Sequence, residues 1–220
     1  IQGRLQKVSK QRDQNRRARR RSSTKTVAIV GYTNAGKSTL FNYLTDAHVY
    51  IADQMFATLD PTLRKLDIPN LGNVVLADTV GFIRHLPHKL VDAFKATLQE
   101  TVEADLLLHV IDSSDPERSD NIIEVDSVLK EIGADGIPIL QLYNKIDILP
   151  GQEVKVERDQ DDKPQRLWLS AKDGQGCENI ALAISELLSE ELFDGQIVLA
   201  NEHGQLRALL YEANAIIVES

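Results

Sequence analysis

The chain has 220 residues, of which 42% are hydrophobic and 26% are charged, as in ordinary globular domains. This composition excludes collagen-like and wholly disordered proteins, and no apolar run approaches the roughly 20 residues of a membrane-spanning helix. The first ten residues do not form a signal-peptide pattern. Cys177 is the only cysteine, which excludes an internal disulfide framework and indicates a reducing, cytoplasmic compartment.

The net charge of -8 is unevenly distributed along the chain. Residues 1–26 contain ten Lys or Arg and one acid, whereas the remainder contains 15 bases and 32 acids. The run RRARRR predicts contact with a polyanion such as RNA, and the alternative is a solvated helix or a frayed end. We expect three parts: a basic helical arm (1–25), a main domain (26–193) and a small truncated annex (194–220).

Short apolar runs alternate with helical patterns along the main domain, which predicts an α/β fold with a mostly parallel, six-stranded sheet covered by helices on both faces. Thr62–Ile68 is the most polar of the strand candidates and suits an edge position. The predicted strands are Val27–Val30, Thr62–Ile68, Val74–Ala77, Leu106–Ile111, Ile137–Tyr143 and Leu167–Leu169. The predicted helices are Lys37–Thr45, Leu90–Val102, Asp115–Gly133 and Glu178–Glu190.

The third of these helices has clear start and stop signals. Asp115 is a candidate N-cap, Pro116 suits the first turn, and Gly133 suits the end of the helix. In the annex, Gln196–Ala200 is a candidate strand and Gln205–Ile217 a candidate helix.

The first strand runs into a GxxxxGKS sequence, which predicts a phosphate-binding loop and a P-loop NTPase fold. Glycines let backbone N–H groups surround phosphate oxygens, and the following helix N-terminus favours the same anion. We expect Lys37 to reach the β- and γ-phosphates and Ser38 to ligate Mg²⁺ through its hydroxyl. The nucleotide-binding residues predicted here are Gly31, Tyr32, Thr33, Asn34, Ala35, Gly36, Lys37, Ser38 and Thr39.

A second motif, Asp78-Thr79-Val80-Gly81, follows the strand Val74–Ala77. An acid at the end of an adjacent strand can hold magnesium, usually through water. Gly81 is expected to donate its backbone N–H to the γ-phosphate. The DxxG pattern is weak alone, but its place after an apolar strand and a phosphate loop favours this interpretation.

A third motif, Asn144-Lys145-Ile146-Asp147, selects the base. A carboxylate accepts two hydrogen bonds from the ring N–H and the exocyclic amine of guanine, a donor pair that adenine lacks, so discrimination can be large. In Ser170-Ala171-Lys172, which follows the last predicted strand, a backbone N–H is placed to meet the guanine oxygen.

These four motifs, in this order, resemble the translation-factor-related GTPases. The resemblance implies one more element between the first two motifs: a loop whose threonine completes the coordination of magnesium. We choose Thr58 by family alignment, with Thr62 as the competitor. The nucleotide-binding residues implied in this loop are Phe56, Ala57, Thr58, Leu59 and Asp60, and the magnesium ligands are Ser38, Thr58 and Asp78.

The stretches GYTNAGKSTLFN, FATLDPTLR, DTVGFIRHLPH and FKATLQET together resemble the HflX family of ribosome-associated GTPases, over roughly residues 1–215. The resemblance implies a partner, the large ribosomal subunit, and a role in splitting stalled or idle ribosomes under stress. It also implies a preceding N-terminal domain joined by a helical segment, and we expect that domain to lie outside this sequence. The candidates for rRNA contact are Arg4, Arg16, Arg17 and Arg19–Arg21.

The expected reaction is hydrolysis of GTP to GDP and phosphate, with Lys37, Thr58 and Gly81 as the catalytic residues. Phe82 stands where small signalling GTPases place a water-orienting glutamine, so another group or a partner must orient the water. In related GTPases with a GxxNxGKS loop, the asparagine helps to bind potassium, which makes Asn34 a candidate K⁺ ligand. The alternative is an asparagine retained for its turn conformation.

Two other functions fit parts of the sequence. One is a nucleotide-gated RNA-binding module in which hydrolysis is incidental and the basic arm is decisive. The other is a GTPase of the tRNA-modification type, for which no partner-enzyme or one-carbon-binding segment is visible. The expected oligomeric state is a monomer.

Overall fold

The computed structural model describes residues 24–45, 62–79, 98, 100–189 and four helical positions, 204, 205, 207 and 210. Within these ranges lie seven strands and three bounded helices. The strands are β1 (Thr26–Val30), β2 (Thr62–Ile68), β3 (Gly72–Asp78), β4 (Leu106–Asp112), β5 (Ile139–Asn144), β6 (Lys155–Arg158) and β7 (Pro164–Trp168). The helices are α1 (Lys37–Thr45), α2 (Arg118–Glu131) and α3 (Glu178–Leu188), and Ile146–Ile148 forms a short 3₁₀ turn.

All seven strands form one sheet with the order β2-β3-β1-β4-β5-β7-β6. The five inner strands are parallel to one another, whereas the two edge strands, β2 and β6, run antiparallel to their neighbours. Since parallel strands end at the same edge of a sheet, the carboxyl ends of β1, β3, β4, β5 and β7 meet there, where ligands of such folds bind.

The predicted α/β class and the P-loop arrangement are confirmed, and the sheet has one strand more than the six expected. Strand β6, with the sequence KVER, lacks the apolar run that marks an inner strand, and its four residues are mostly exposed. Thr62–Ile68 is an edge strand, as its polar alternation predicted.

The core lies on both faces of the sheet because alternate residues of the inner strands point to opposite sides. Val27 and Ile29 of β1 belong to one buried cluster, together with α1 and α3. Ala28 and Val30 belong to the other, together with Val125 and Leu129 of α2. The central strand β1 is buried at all five positions and, after Thr26, is apolar, as a strand covered on both faces must be.

Helix α2 starts later than predicted. Its N-cap is Glu117, whose side chain makes no capping hydrogen bond. Asp115 instead accepts hydrogen bonds from the Glu117 N–H (2.8 Å) and from Nδ2 of Asn121 (2.8 Å), so it caps the turn that leads into the helix. Gly133, with φ of +77°, ends the helix as predicted, and the Ala134 N–H reaches back to the Leu129 carbonyl.

The chain divides into two compact units, residues 1–189 and 190–220. In the second unit, the described positions 204, 205, 207 and 210 are helical. The predicted arm (1–25), apart from its last two residues, and the predicted strand Gln196–Ala200 lie outside the described residues. Of the predicted helix Leu90–Val102, positions 98 and 100–102 are described, and all are helical. Among the described residues, no helix has the length and apolar character needed to span a bilayer.

Candidate nucleotide-binding site

The phosphate loop connects the end of β1 to the start of α1 at the centre of the sheet. Gly31 has φ of +143°, and a Cβ added there would lie 2.3 Å from the Val110 carbonyl oxygen. Only glycine therefore lets the loop leave β1 so close to β4. Helix α1 begins at Lys37, so its first N–H groups and its dipole face the loop and favour an anion there.

Lys37 carries its charge in the buried base of this loop, with 7% of its surface exposed. Its Nζ donates hydrogen bonds to the carbonyl oxygens of Gly31 (3.0 Å) and Tyr32 (2.7 Å). Burial lowers the pKa of Lys37 to about 8, and the nearby Asp78 carboxylate only partly opposes this shift. The ammonium group is thus under-compensated by the protein, and an anion in the loop would stabilise it.

Ser38 and Asp78 come from different elements and meet beside the loop. The Ser38 hydroxyl donates to Oδ2 of Asp78 over 3.1 Å, and Asp78 is 2% exposed. The adjacent Thr79 hydroxyl donates to the Ile29 carbonyl oxygen at 2.5 Å, which fixes the end of β3 against β1. One hydroxyl and one carboxylate oxygen converging in this way are the hard oxygen donors that Mg²⁺ takes, so this pair fits the ion.

Asn144, at the end of β5, joins three loops. Its Nδ2 donates to the Ala35 carbonyl oxygen in the phosphate loop (2.9 Å), and its Oδ1 accepts from the Ala171 N–H (2.9 Å). A Cβ on Gly36 would lie 2.2 Å from this Nδ2, so the close approach of the two loops requires glycine there. Asn144 therefore braces the site, which is a different role from contact with the base.

Asp147 is held by partners on the loop after β7. The Ser170 hydroxyl donates to its Oδ1 (2.9 Å), and Lys172 Nζ lies 3.8 Å from its Oδ2. The Asp147 side chain is 10% exposed, whereas that of Lys172 is 76% exposed. The short contact with Ser170 orients the carboxylate, and solvent screens the longer contact with Lys172.

Lys145 makes an ion pair with Asp112, the last residue of β4. Its Nζ lies 2.6 Å from Oδ2 of Asp112, and its backbone has φ of +68°. Burial alone would raise the pKa of Asp112, but hydrogen bonds from Lys145 and Ser114 outweigh burial and hold that pKa below its usual value. This carboxylate is therefore ionised at neutral pH.

A cavity of about 230 Å³ lies between the phosphate loop, β4 and the start of α2. His109 lines it and is 1% exposed, and within the described part of the chain its Nδ1 has no hydrogen-bond partner. Burial, and then the charge of Lys37, lower the pKa of His109 to about 4, so the imidazole is neutral at pH 7. The cavity is bounded by Tyr32, Thr33, Asn34, Ala35, His109, Val110, Ile111, Asp112, Asp115, Arg118, Asn121 and Ile122.

The structure brings the predicted residues of the first, third and fourth motifs, and the start of the second, to one edge of the sheet. These are Gly31, Tyr32, Thr33, Asn34, Ala35, Gly36, Lys37, Ser38, Thr39, Asp78, Thr79, Asn144, Lys145, Asp147, Ser170, Ala171 and Lys172. The remaining predicted site residues lie outside the described residues: Phe56, Ala57, Thr58, Leu59, Asp60, Val80 and Gly81. Phe82 and the predicted arm's arginines lie outside them too.

The sequence analysis did not predict Asp112, which pairs with Lys145, or Ser114, which donates hydrogen bonds to Asp112. The available signal was an acid directly after an apolar strand, at the same sheet edge as the other motifs. Cys177 packs in the core: its Sγ lies 3.6 Å from the Ser170 carbonyl oxygen, and burial raises the pKa of the thiol to about 12.

Comparison with known proteins adds a family to this geometry. Residues 26–145, from the start of β1 to the third motif, match the family described as 50S ribosome-binding GTPase. The chain belongs to this family. The match covers more than half of the chain and includes the phosphate loop, the Ser38–Asp78 pair and Asn144.

Among curated GTPase relatives, the chain is similar to GTPase HflX of Escherichia coli strain K12, with 55% identity over 216 residues, 98% of this chain and 51% of that protein. It is 47% identical to GTPase HflX of Caldanaerobacter subterraneus over 191 residues, 87% of this chain and 43% of that protein. The resemblance to the HflX GTPases is confirmed. The chain spans about half the length of these relatives.

Solved GTPase structures share the fold. A GTP-binding protein from Sulfolobus solfataricus in complex with GDP superposes with a TM-score of 0.57 and 30% identity, covering 83% of this chain and 60% of that chain. Era in complex with MgGDPNP and nucleotides 1506-1542 of 16S ribosomal RNA gives a TM-score of 0.58 at 24% identity, covering 81% and 60%. The second likeness shows the fold alone.

Proposed function

We propose that this chain is the Mg²⁺-dependent GTP-binding and GTP-hydrolysing switch of a protein that associates with the large ribosomal subunit and splits or rescues ribosomes under stress. The observation that carries the proposal is the meeting of Lys37, the Ser38–Asp78 pair and the Asn144–Asp147 motif at one sheet edge. Because the proposed partner is the ribosome, we also propose that the protein acts in the cytoplasm. We also propose the expected division of the chain into a basic arm (1–25), a main domain (26–193) and a truncated annex (194–220).

Guanine selection falls to Asp147. Its carboxylate is positioned by Ser170 and nearly buried, so it can accept both donors of the guanine edge without a large cost of ordering. A base without that donor pair would leave the carboxylate desolvated and unpaired, which costs binding.

We assign phosphate binding and catalysis to the phosphate loop and to the residues beside it at the start of α1 and the end of β3. Lys37 and the N–H groups at the start of α1 stabilise the charge of the triphosphate, and Ser38 and Asp78 would hold magnesium. When bound, Mg²⁺ neutralises the charge that develops on the phosphate oxygens. In this proposal Thr58 and Gly81 complete the catalytic set with Lys37, and loss of the γ-phosphate releases their two loops, which gives the switch.

We also propose that Asn34 helps to bind a potassium ion beside the phosphates. The structure also gives this residue a conformational reason to be asparagine: its φ is +61°, a region that asparagine tolerates better than most residues. A basal rate that depends on K⁺ rather than Na⁺, and that loses this dependence in Asn34→Gly, would separate ion binding from turn formation, because glycine keeps the turn and lacks the amide oxygen.

The ribosomal partner is supported by the family of residues 26–145 and by the HflX relatives. The basic residues of the arm are the proposed rRNA contact, and the working unit is proposed to be a monomer. Because the chain spans about half of those relatives, coupling to the ribosome is the part of the proposal that needs the most direct test.

The test measures GTP hydrolysis and fluorescent GTP binding by the chain, with and without purified large ribosomal subunits, in K⁺ and in Na⁺ buffer. We expect slow basal turnover that the subunits stimulate. Asp147→Asn should shift binding from GTP towards XTP, because an amide pairs with the xanthine oxygen. The matched control is Asp161→Asn, an exposed acid outside the site. Failure of the wild-type chain to bind GTP would overturn the proposal.

Two variants separate this switch from an RNA-binding module with incidental hydrolysis. Ser38→Ala should abolish GTP-dependent binding to the subunit, whereas replacing RRARRR by neutral residues should weaken binding and flatten its salt dependence. If Ser38→Ala binds the subunit as tightly as the wild type does, and if GTP changes the binding of neither protein, the arm acts without the switch.

A further inference from the structure

Lys145 spans two strand ends beside the base-binding residues. It follows β5, and its Nζ lies 2.6 Å from Oδ2 of Asp112 at the end of β4. The alkyl stem of the lysine therefore crosses between neighbouring carboxyl ends, next to Asn144 and close in sequence to Asp147. We propose that Asp112 is a positioning residue that fixes this stem as a surface for the nucleotide's base and ribose, and so sets how long a guanine nucleotide stays bound. This inference rests on the proposed GTP site.

The Asp112 carboxylate is itself held on both oxygens. Oδ1 accepts hydrogen bonds from the N–H (2.9 Å) and the hydroxyl (2.6 Å) of Ser114, and Oδ2 accepts from Lys145. A carboxylate held by its own turn in this way has lost its rotational freedom before the lysine arrives. The ion pair therefore costs less side-chain entropy than a surface pair between two free side chains.

The backbone of both residues is fixed by the sheet. Asp112 is in register with Asn144 in the β4–β5 pair, and the Ser113 N–H donates to the Asn144 carbonyl oxygen (2.9 Å). Lys145 then takes φ of +68°, a left-handed conformation that is costly for a residue with a long side chain. Because the sheet fixes both ends and the backbone is strained, the pair with Asp112 gives the lysine one defined direction.

Its setting distinguishes this pair from other ion pairs of the described residues. The Lys145 and Asp112 side chains are 32% and 20% exposed, whereas those of Arg158 and Glu186 are 38% and 41% exposed and lie away from the strand ends that form the site. Charge-assisted hydrogen bonds strengthen as water is excluded, and a nucleotide lying on the lysine stem would exclude more of it. The pair should then stabilise the bound state more than the empty one.

The experiment measures dissociation of fluorescent GDP and GTP from the 220-residue chain by stopped flow. Asp112→Asn should speed release of both nucleotides about tenfold, since it removes a charge-assisted hydrogen bond to Lys145. Ser114→Ala should speed release by about threefold, because the carboxylate keeps one of its two fixed contacts. Glu186→Gln, which breaks an exposed pair, is the matched control and should leave release unchanged.

A merely structural role predicts a different pattern, in which the melting temperature falls and release does not change. In the pattern expected here, Asp112→Asn raises KM for GTP, leaves kcat at saturation within about twofold, and adds nothing to Lys145→Met in the double variant. Release rates of Asp112→Asn equal to those of the wild type, or effects of the two substitutions that simply add, would overturn the inference. If the wild-type chain binds no guanine nucleotide, the proposed function fails instead.

Discussion

The two ends of the candidate site are organised differently. At the base end, protein partners satisfy the polar side chains: Asn144 bridges two loops, Asp147 accepts from Ser170, and Lys145 pairs with Asp112. At the phosphate end, the hydrogen-bond partners of buried Lys37 among the described residues are two carbonyl oxygens, and its pKa falls to about 8. One end has its polar partners without a ligand, whereas at the other the nearby Asp78 carboxylate only partly offsets the burial of an ammonium group.

In the proposed function, this difference indicates how a bound guanine nucleotide would contribute to stability. A preorganised base end loses little entropy on binding, so it supplies selectivity. The phosphate end supplies affinity, because an anion there relieves the cost of burying an ammonium group. A ligand of this kind should stabilise the fold more than its contact area suggests, and the substitutions below test the two ends separately.

The largest expected effect is at the phosphate end. Lys37→Met should reduce GTP affinity by about 100-fold or more, because it removes charged hydrogen bonds worth roughly 1.5–3 kcal/mol each. The same variant, without nucleotide, should be about as stable as the wild type, since removing a buried charge offsets the two carbonyl hydrogen bonds and the Asp78 contact that are lost. Fluorescent nucleotide titration measures the first quantity, and urea unfolding of the nucleotide-free chain measures the second.

Lys172→Met is the matched control, because it removes an exposed lysine of the same site. It should change neither affinity nor stability by a comparable amount. A clear drop in the empty-state stability of Lys37→Met would contradict the picture of an under-compensated charge.

At the base end, substitution should destabilise the empty chain. Asn144→Ala should lower the free energy of unfolding by about 2–4 kcal/mol even without nucleotide, because two buried backbone groups, on Ala35 and Ala171, lose their partners. Urea unfolding of the empty chain measures it. Asn179→Ala is the control, since that side chain makes one longer, 3.4 Å contact. Equal losses in the two variants would show that the bridge between loops is not special.

The pH dependence of binding should sharpen the contrast further. Below pH 8 the empty site already holds a protonated Lys37, so affinity is independent of this group; above pH 8 binding must take up a proton, because the phosphates raise the lysine's pKa. Affinity for GDP should therefore fall by up to about tenfold per pH unit between pH 8 and 10. Calorimetric titration in buffers of different ionisation enthalpy measures the proton uptake, and Lys37→Met should abolish it.

The phosphate end was the easier of the two to predict from sequence. Gly31, Gly36 and Lys37 lie in one loop between one strand and one helix, so their spacing in the sequence is enough to predict that loop. The strand ends Asp78 and Asn144 were predictable because apolar runs precede them. The family resemblance adds Thr58, and the second motif adds Gly81; both stay predictions.

The side-chain contacts that connect the loops of the site could not be predicted from the sequence, for a physical reason. The contact of Asn144 with Ala35 joins residues 109 positions apart, and that of Lys145 with Asp112 joins residues 33 apart. No local pattern encodes such pairs, because they depend on which strands are neighbours in the sheet. Strand β6 was missed because its exposed sequence, KVER, gains its order from pairing with β7 and not from an apolar run of its own.

The smallest expected effect distinguishes the two partners of Asp147. Ser170→Ala removes a 2.9 Å hydrogen bond to a side chain that is 10% exposed, so release of guanine nucleotide should speed up by about three- to tenfold. Lys172→Ala removes a 3.8 Å contact from a side chain that is 76% exposed, and its effect should stay below about twofold at 0.15 M salt. Stopped-flow release of GDP at low and physiological salt measures both.

If preorganisation of Asp147 sets the selectivity for guanine, Ser170→Ala should also reduce the preference for GTP over ITP, which lacks the exocyclic amine. Lys172→Ala should keep that preference. An effect of Lys172→Ala as large as that of Ser170→Ala would mean that long-range charge, and not the fixed hydrogen bond, holds the carboxylate in place.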